Sequence, residues 1–232
     1  MQRLYHSRMV NKITAVLIDF LFPYTYLERY LQDCKSYQFQ TRLTPRIQHK
    51  ERQFSPFYYK DSLIKDCVIE LKERNNIYVA HLFGEVLVQY IRYITESIIK
   101  KNPDAYFYLV PIPQHKLKTK DKGFLHTRTL CTSILRFFLN RINQNIISIQ
   151  VFECLIKVKE TRRLHDLNSR KNRFKTIKNT MECFITKYDA EHAYFFVVDD
   201  VYTTGSTFKE ARRTLLGSGV PNEHIYFISI AH

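Results

Sequence analysis

The chain has 232 residues, 45% of them hydrophobic, and a formal net charge of +14. That length and apolar content fit one globular domain with a full core and room for a small appendage, and they exclude a disordered chain. The five cysteines, Cys34, Cys67, Cys131, Cys154 and Cys183, are widely spaced with no C-x-x-C pair, so neither a zinc ribbon nor a disulfide framework is indicated, and reduced thiols in a cytoplasmic protein are expected.

In chain order, the first apolar run is Ile13 to Phe22. Asp19 interrupts it, no small-residue cleavage site follows, and it is too short to cross a bilayer. It reads as an amphipathic helix stopped at Pro23, with no membrane insertion. Residues 24–60 are rich in Tyr, Gln, Arg and Pro with little periodicity, so residues 1–60 are expected to form a helical or irregular N-terminal appendage and 61–232 the main domain. Asp61 can cap a helix to about Arg74 with Leu63, Ile64, Cys67, Val68 and Leu71 on one face. A second helix is expected from about Tyr78 to Lys100. His81 within it reads as a core-edge or surface histidine, because no second ligand lies at metal-binding spacing.

From Tyr106 onward strands and helices alternate, which indicates an α/β fold with a central parallel sheet flanked by helices. Tyr106 to Ile112 is a compact apolar strand, and Gly123-Phe124 leads into a helix to about Asn140. Ile146 to Val158 reads as a strand, and His224 to Ile230 as the last one. The informative stretch is Phe195-Phe196-Val197-Val198-Asp199-Asp200-Val201-Tyr202-Thr203-Thr204-Gly205-Ser206-Thr207. Four apolar residues predict a buried strand, and Phe208, Ala211, Leu215 and Leu216 have helical spacing, so both acids and Gly205 are expected in the connecting turn. Gly217 and Gly219 end that helix. Backbone N–H groups from Thr203 to Thr207 would lack intrahelical partners, and Gly205 would let a phosphate approach them. Asp199 and Asp200 would repel the phosphate and must face another part of the ligand, such as sugar hydroxyls or a coordinated Mg2+. A sugar phosphate satisfies both requirements.

The charge is concentrated in two places. Residues 115–128 carry five basic side chains against Asp121, and residues 157–178 carry nine against Glu160 and Asp166. His115, Lys116, Lys118, Lys122, Arg162, Arg163, Arg170, Lys171 and Arg173 are the candidate contacts to pyrophosphate or nucleic acid. Such an excess attracts polyanions by displacing condensed counterions; the competing reading is a solvated basic surface. Phe124, Phe137, Phe174 and Tyr202 lie beside this charge, where they would either stack on bases or belong to the core.

The stretch from Val197 to Thr207 resembles, position by position, the phosphoribosyl-pyrophosphate (PRPP) signature of the type I phosphoribosyltransferases. Leu109-Val110-Pro111-Ile112-Pro113 with His115, Lys122-Gly123-Phe124, the region of Thr161, Leu167 and Arg173, and Leu21-Phe22-Pro23 extend the resemblance to the ComF family of competence-associated proteins. The resemblance implies a type I phosphoribosyltransferase-like fold, with Asp199 and Asp200 on the ribose hydroxyls or on Mg2+ and Thr203, Thr204, Gly205, Ser206 and Thr207 around the 5′-phosphate. Three departures stand out: the family's N-terminal zinc ribbon has no counterpart, so no zinc is expected; Leu125-His126 stands where the family carries Asn-Gln; and Leu164 stands where its mobile loop commonly carries Gln. The function implied is binding of PRPP, Mg2+ and single-stranded DNA during DNA uptake and natural transformation. Two rivals stay open. One is an active phosphoribosyltransferase in which Asp199 and Asp200 serve catalysis; the other is a non-catalytic module or effector in a nucleic-acid-linked defence system.

Overall fold

The structure is a computed structural model that describes residues 42–48, 52–114, 123–139, 148–159 and 179–232. The chain divides into two compact units, Met1–Lys35 and Ser36–His232, and every described residue lies in the second. The expected helix at residues 9–22 falls outside the described residues.

A six-stranded sheet forms the centre, in the order β1-β2-β8-β7-β3-β4. Its members are β1 (Leu43–Gln48), β2 (Gln53–Phe57), β3 (Tyr106–Pro111), β4 (Ser148–Val151), β7 (Ala193–Val201) and β8 (Ile225–Ala231). β1 runs antiparallel to β2, and all other neighbours are parallel. A separate antiparallel pair joins β5 (Leu155–Lys157) to β6 (Met181–Cys183). The helices are α1 (Ser62–Arg74), α2 (Ile77–Ile99), α3 (His126–Leu139), α4 (Lys187–His192) and α5 (Ser206–Gly217). This is the α/β arrangement of a phosphoribosyltransferase-like fold, with a parallel sheet and flanking helices.

Local chemistry sets the element ends. Asp61 accepts from Ile64 N at 3.2 Å and caps α1, while Asn75 closes that helix in the left-handed region with φ 53°. Asn76 then caps α2 through Tyr78 N and Val79 N. Gly84 allows α2 and α3 to cross closely, since a Cβ there would lie 3.0 Å from the Ser133 backbone and side chain. His81 is half-buried, edge-on to Phe137 at 6.0 Å and 3.3 Å from Arg136 Nη1, which fits a core-edge histidine.

The alternation of β7 divides the core into two layers. Phe195 and Val197 join a buried cluster with Tyr108, Val110, Phe208, Ala211, Leu215 and Phe227, which packs α5 against one face. Asp200 points to the other face, where α1 and α3 supply its partners.

Three details differ from the sequence reading. β1 and β2 lie within the stretch expected to be irregular, so the sheet begins before residue 61. Pro56 and the buried polar residues Gln53 and Ser55 hide β2 from a hydrophobic pattern; a register shift in β1 between Leu43 and Arg46 accommodates the proline, which has no N–H to donate. The strand expected across 146–158 is broken: Phe152 N still donates to Leu109 O at 2.9 Å, but the chain then leaves the main sheet and β5 pairs with β6 instead. Asp199 and Asp200 are the last residues but one of β7 and not part of the turn, because parallel pairing to β8 continues to Val201↔Ala231.

Candidate functional site

The order of the strands creates the site. β3 leads through α3 to β4 on one side, and β7 leads through α5 to β8 on the other, so the carboxyl ends of β3 and β7 flank a topological switch point. Ile112 to Gln114 leave β3 at one lip, and Tyr202 to Ser206 leave β7 at the other. The lips are pinned by Ile112 N donating to Val198 O at 2.9 Å and by Thr127 Oγ1 donating to Ile112 O at 2.8 Å.

Gly205 is the residue on which α5 starts. Its φ is 70°, and a Cβ there would run into the Tyr202 ring, with Cζ at 2.7 Å. No side chain caps α5, and the first turn contains no acidic residue. Its leading N–H groups therefore point into the turn with the positive end of the helix dipole behind them. Thr203 is exposed, Thr204 and Thr207 half-buried and Ser206 buried, with Thr204 Oγ1 and Ser206 Oγ 2.8 Å apart. The result is an uncapped helix N-terminus with hydroxyls beside it, a set of donors of the kind that can receive a phosphate.

The two acids have different surroundings. Asp199 is half-buried and its Oδ1 accepts from Asp200 N at 2.9 Å. Burial and the neighbouring Asp200 charge push its carboxyl well above the ordinary range. Asp200 is buried, its Oδ1 accepts from Val201 N at 2.7 Å, and its Oδ2 lies 3.0 Å from Lys72 Nζ and 3.3 Å from His126 Nε2. Burial would raise it too, but the hydrogen bond from His126 and the Lys72 charge hold it below the ordinary carboxylate range. His126 is in turn 2.8 Å from the Gln114 amide nitrogen through Nδ1. With that amide donating, Nδ1 accepts and Nε2 carries the proton toward Asp200. A chain Gln114–His126–Asp200–Lys72 thus runs beneath the switch point.

Among the described residues no three His, Cys, Asp or Glu side chains form a metal cage. Asp199 would hold Mg2+ once the metal displaced the proton that burial favours on its carboxyl, with a phosphorylated ligand and water as the other donors. The buried Oδ2 of Asp200 already meets Lys72 and His126, so Asp200 is the poorer metal ligand.

Of the residues read from sequence, Asp199, Asp200, Thr203, Thr204, Gly205, Ser206 and Thr207 come together at one strand end. His115, Lys116, Lys118, Lys122, Arg162, Arg163, Arg170, Lys171 and Arg173 lie outside the described residues, as does Phe174. Tyr202 is 5% exposed and packs on Phe208 at 5.6 Å, so it belongs to the core and not to a base-stacking surface. Phe124 and Phe137 are half-buried. Sequence reasoning missed Lys72, Gln114 and His126 as site residues. Lys72 had a signal: the buried stripe Ile64, Cys67, Val68, Leu71 continues at the next helical position to residue 72, where a lysine breaks the apolar run.

No family model matches the chain. It is similar to the competence protein ComFC of Bacillus subtilis (strain 168), with 26% identity over 171 residues. The match covers 72% of this chain and 60% of the relative, so the chain spans less than two thirds of ComFC's length. This relative supports the ComF resemblance drawn from the motifs. Among the described residues no helix is long and apolar enough to cross a membrane.

Proposed function

We propose that this is a ComFC-like protein of phosphoribosyltransferase fold that binds PRPP with Mg2+ and single-stranded DNA, and that it serves competence, in DNA uptake and natural transformation. The observation that carries the reading is the end of β7, where an acidic pair is followed by an uncapped helix N-terminus opened by Gly205. A sugar phosphate would use both parts at once: the α5 N–H groups would donate to its 5′-phosphate and the half-buried Asp199 would meet the ribose hydroxyls or Mg2+. The competence role rests on the name of the relative, and the DNA half on the basic stretches 115–128 and 157–178, which a sugar phosphate alone does not require.

Two titrations of the full chain test the reading. PRPP with Mg2+ is expected to bind, and a labelled single-stranded oligonucleotide is expected to bind at low salt with affinity that falls steeply as salt rises. The nucleic-acid half is refuted if the oligonucleotide does not bind at low salt, or if reversing the basic charges between Lys157 and Lys178 leaves its affinity unchanged. The sugar-phosphate half is refuted if PRPP does not bind to folded protein.

A further inference from the structure

Two cysteines that are 29 positions apart in sequence come together at the small sheet. Cys154 lies immediately before β5, and Cys183 is the last residue of β6. The two strands pair so that Leu155 lies opposite Cys183, and Phe184 N donates to Cys154 O at 2.8 Å. Opposite residues of antiparallel strands are about 4.5–5.5 Å apart, and one step along a strand adds about 3.3 Å at right angles, which puts the two Cα atoms roughly 6 Å apart. A disulfide spans about 4.4–6.8 Å between Cα atoms. Strand alternation alone would turn neighbours of this kind to opposite faces, but Cys154 precedes the strand, where the chain is leaving β4. Its side chain is buried in the cluster that holds Phe208 and Leu215 of α5, and Cys183 packs against the same cluster. There the two thiols are hydrogen-bonded to each other.

The pair is unequal. Cys183 is half-buried, whereas Cys154 is 1% exposed. The hydrogen bond from Cys154 holds the Cys183 thiol below its ordinary value, and that same bond together with burial pushes the Cys154 thiol up. The thiolate therefore forms on the sulfur that an outside reagent can reach, with a protonated thiol beside it. The other described cysteines, Cys67 and Cys131, are both 0% exposed and serve as internal controls.

We propose that Cys183 and Cys154 form a peroxide-oxidisable dithiol, in which Cys183 is the sulfur attacked and Cys154 the sulfur that resolves it into a disulfide. The Cys183 thiolate attacks one oxygen of hydrogen peroxide, the O–O bond breaks, and Cys183 becomes a sulfenic acid. The hydroxide that leaves recovers the proton Cys183 had given up. The Cys154 sulfur then attacks the sulfenic sulfur, the S–O bond breaks, and the hydroxyl departs as water with the Cys154 proton. The two thiols lose two electrons in all, and the peroxide is reduced to two waters. The bond fastens β5 to β6 and is undone by a dithiol reductant. It involves neither PRPP nor nucleic acid, so it stands apart from the function proposed above.

The test is peptide mapping of the full chain after a slight excess of hydrogen peroxide, capping of the remaining thiols with N-ethylmaleimide, and tryptic digestion without reductant. The expected product joins residues 142–157 to residues 179–187 and disappears on treatment with dithiothreitol. Before oxidation, Cys183 is expected to react with iodoacetamide at least about tenfold faster than Cys154. In Cys154→Ala, dimedone is expected to trap Cys183 as its sulfenic acid; in Cys183→Ala, Cys154 is expected to stay reduced at the same dose. A wild-type map without the joined peptides overturns the pairing, whether Cys183 stays reduced, goes on to sulfinic acid or joins Cys34. Cys154 alkylated as fast as Cys183 overturns the order of attack. Should Cys154→Ala fail to fold, the wild-type map and alkylation rates decide.

Discussion

Gly205 shows how one residue fixes the geometry of the proposed phosphate cradle. Its φ of 70° is a conformation that costs an L-residue about 1–3 kcal/mol, and the buried Tyr202 ring fills the place a Cβ would take. Gly205→Ala is therefore expected to destabilise the protein by at least that amount, measured by thermal or denaturant unfolding. Unchanged stability would show that the turn can relax without loss. The place of Gly205 before a helix was legible in sequence, and the two acids were placed only slightly late, in the turn instead of at the end of β7, because both follow from neighbours in the chain. The partners of Asp200 were less so, since Lys72 and His126 lie 128 and 74 positions away and only the fold brings them within 3.0 and 3.3 Å. His126 left a trace as the departure from an amide, and Lys72 as a charge on an apolar stripe.

At the scale of elements, α5 does more than begin the cradle. Its Glu210 is buried and accepts from Thr180 N at 2.9 Å and Met181 N at 3.4 Å, holding the start of β6 against the helix. Arg213 clamps the same carboxylate through Nε and Nη2, both at 2.9 Å. Burial works against the ionised form, but these contacts hold Glu210 below its ordinary value of 4.5. A carboxylate lowered on folding stabilises the protein above its unfolded value, and that contribution is lost as pH falls through the folded one. Glu210→Gln is thus expected to cost about 1–2 kcal/mol at neutral pH, with the gap to wild type closing below about pH 4.5. A gap that stays constant from pH 7 to pH 3 would contradict the assignment. Helices and central strands were readable from periodicity and caps, as with Asp61 before α1. β1 and β2 were not, because the buried Gln53 amide donates to Ser55 along β2 and the Ser55 hydroxyl meets Ser229 on β8, a pairing no local pattern reveals.

For the whole molecule, the order of strands matters more than any single element. Placing β3 beside β7 sets the two lips of the crevice together, and the helices that follow them cover opposite faces. Alternation along the sequence predicted a parallel α/β sheet but not which strands would be neighbours, since that depends on long-range packing. Of the basic stretches that supply much of the +14 charge, one follows β3 in sequence and the other links β5 to β6. An anionic ligand would be drawn toward such a molecule over a Debye length of about 8 Å at physiological salt.

The end of β7 is proposed to be a sugar-diphosphate site. The most direct measurement is calorimetric titration of PRPP with Mg2+ into wild type and into the Asp199→Asn/Asp200→Asn variant, with folding of both checked by circular dichroism. The site predicts saturable binding to wild type that is at least about tenfold weaker in the variant, the loss of one charged hydrogen bond or more. Folded wild type that takes up no PRPP, or a folded variant that binds it as tightly, would contradict the claim.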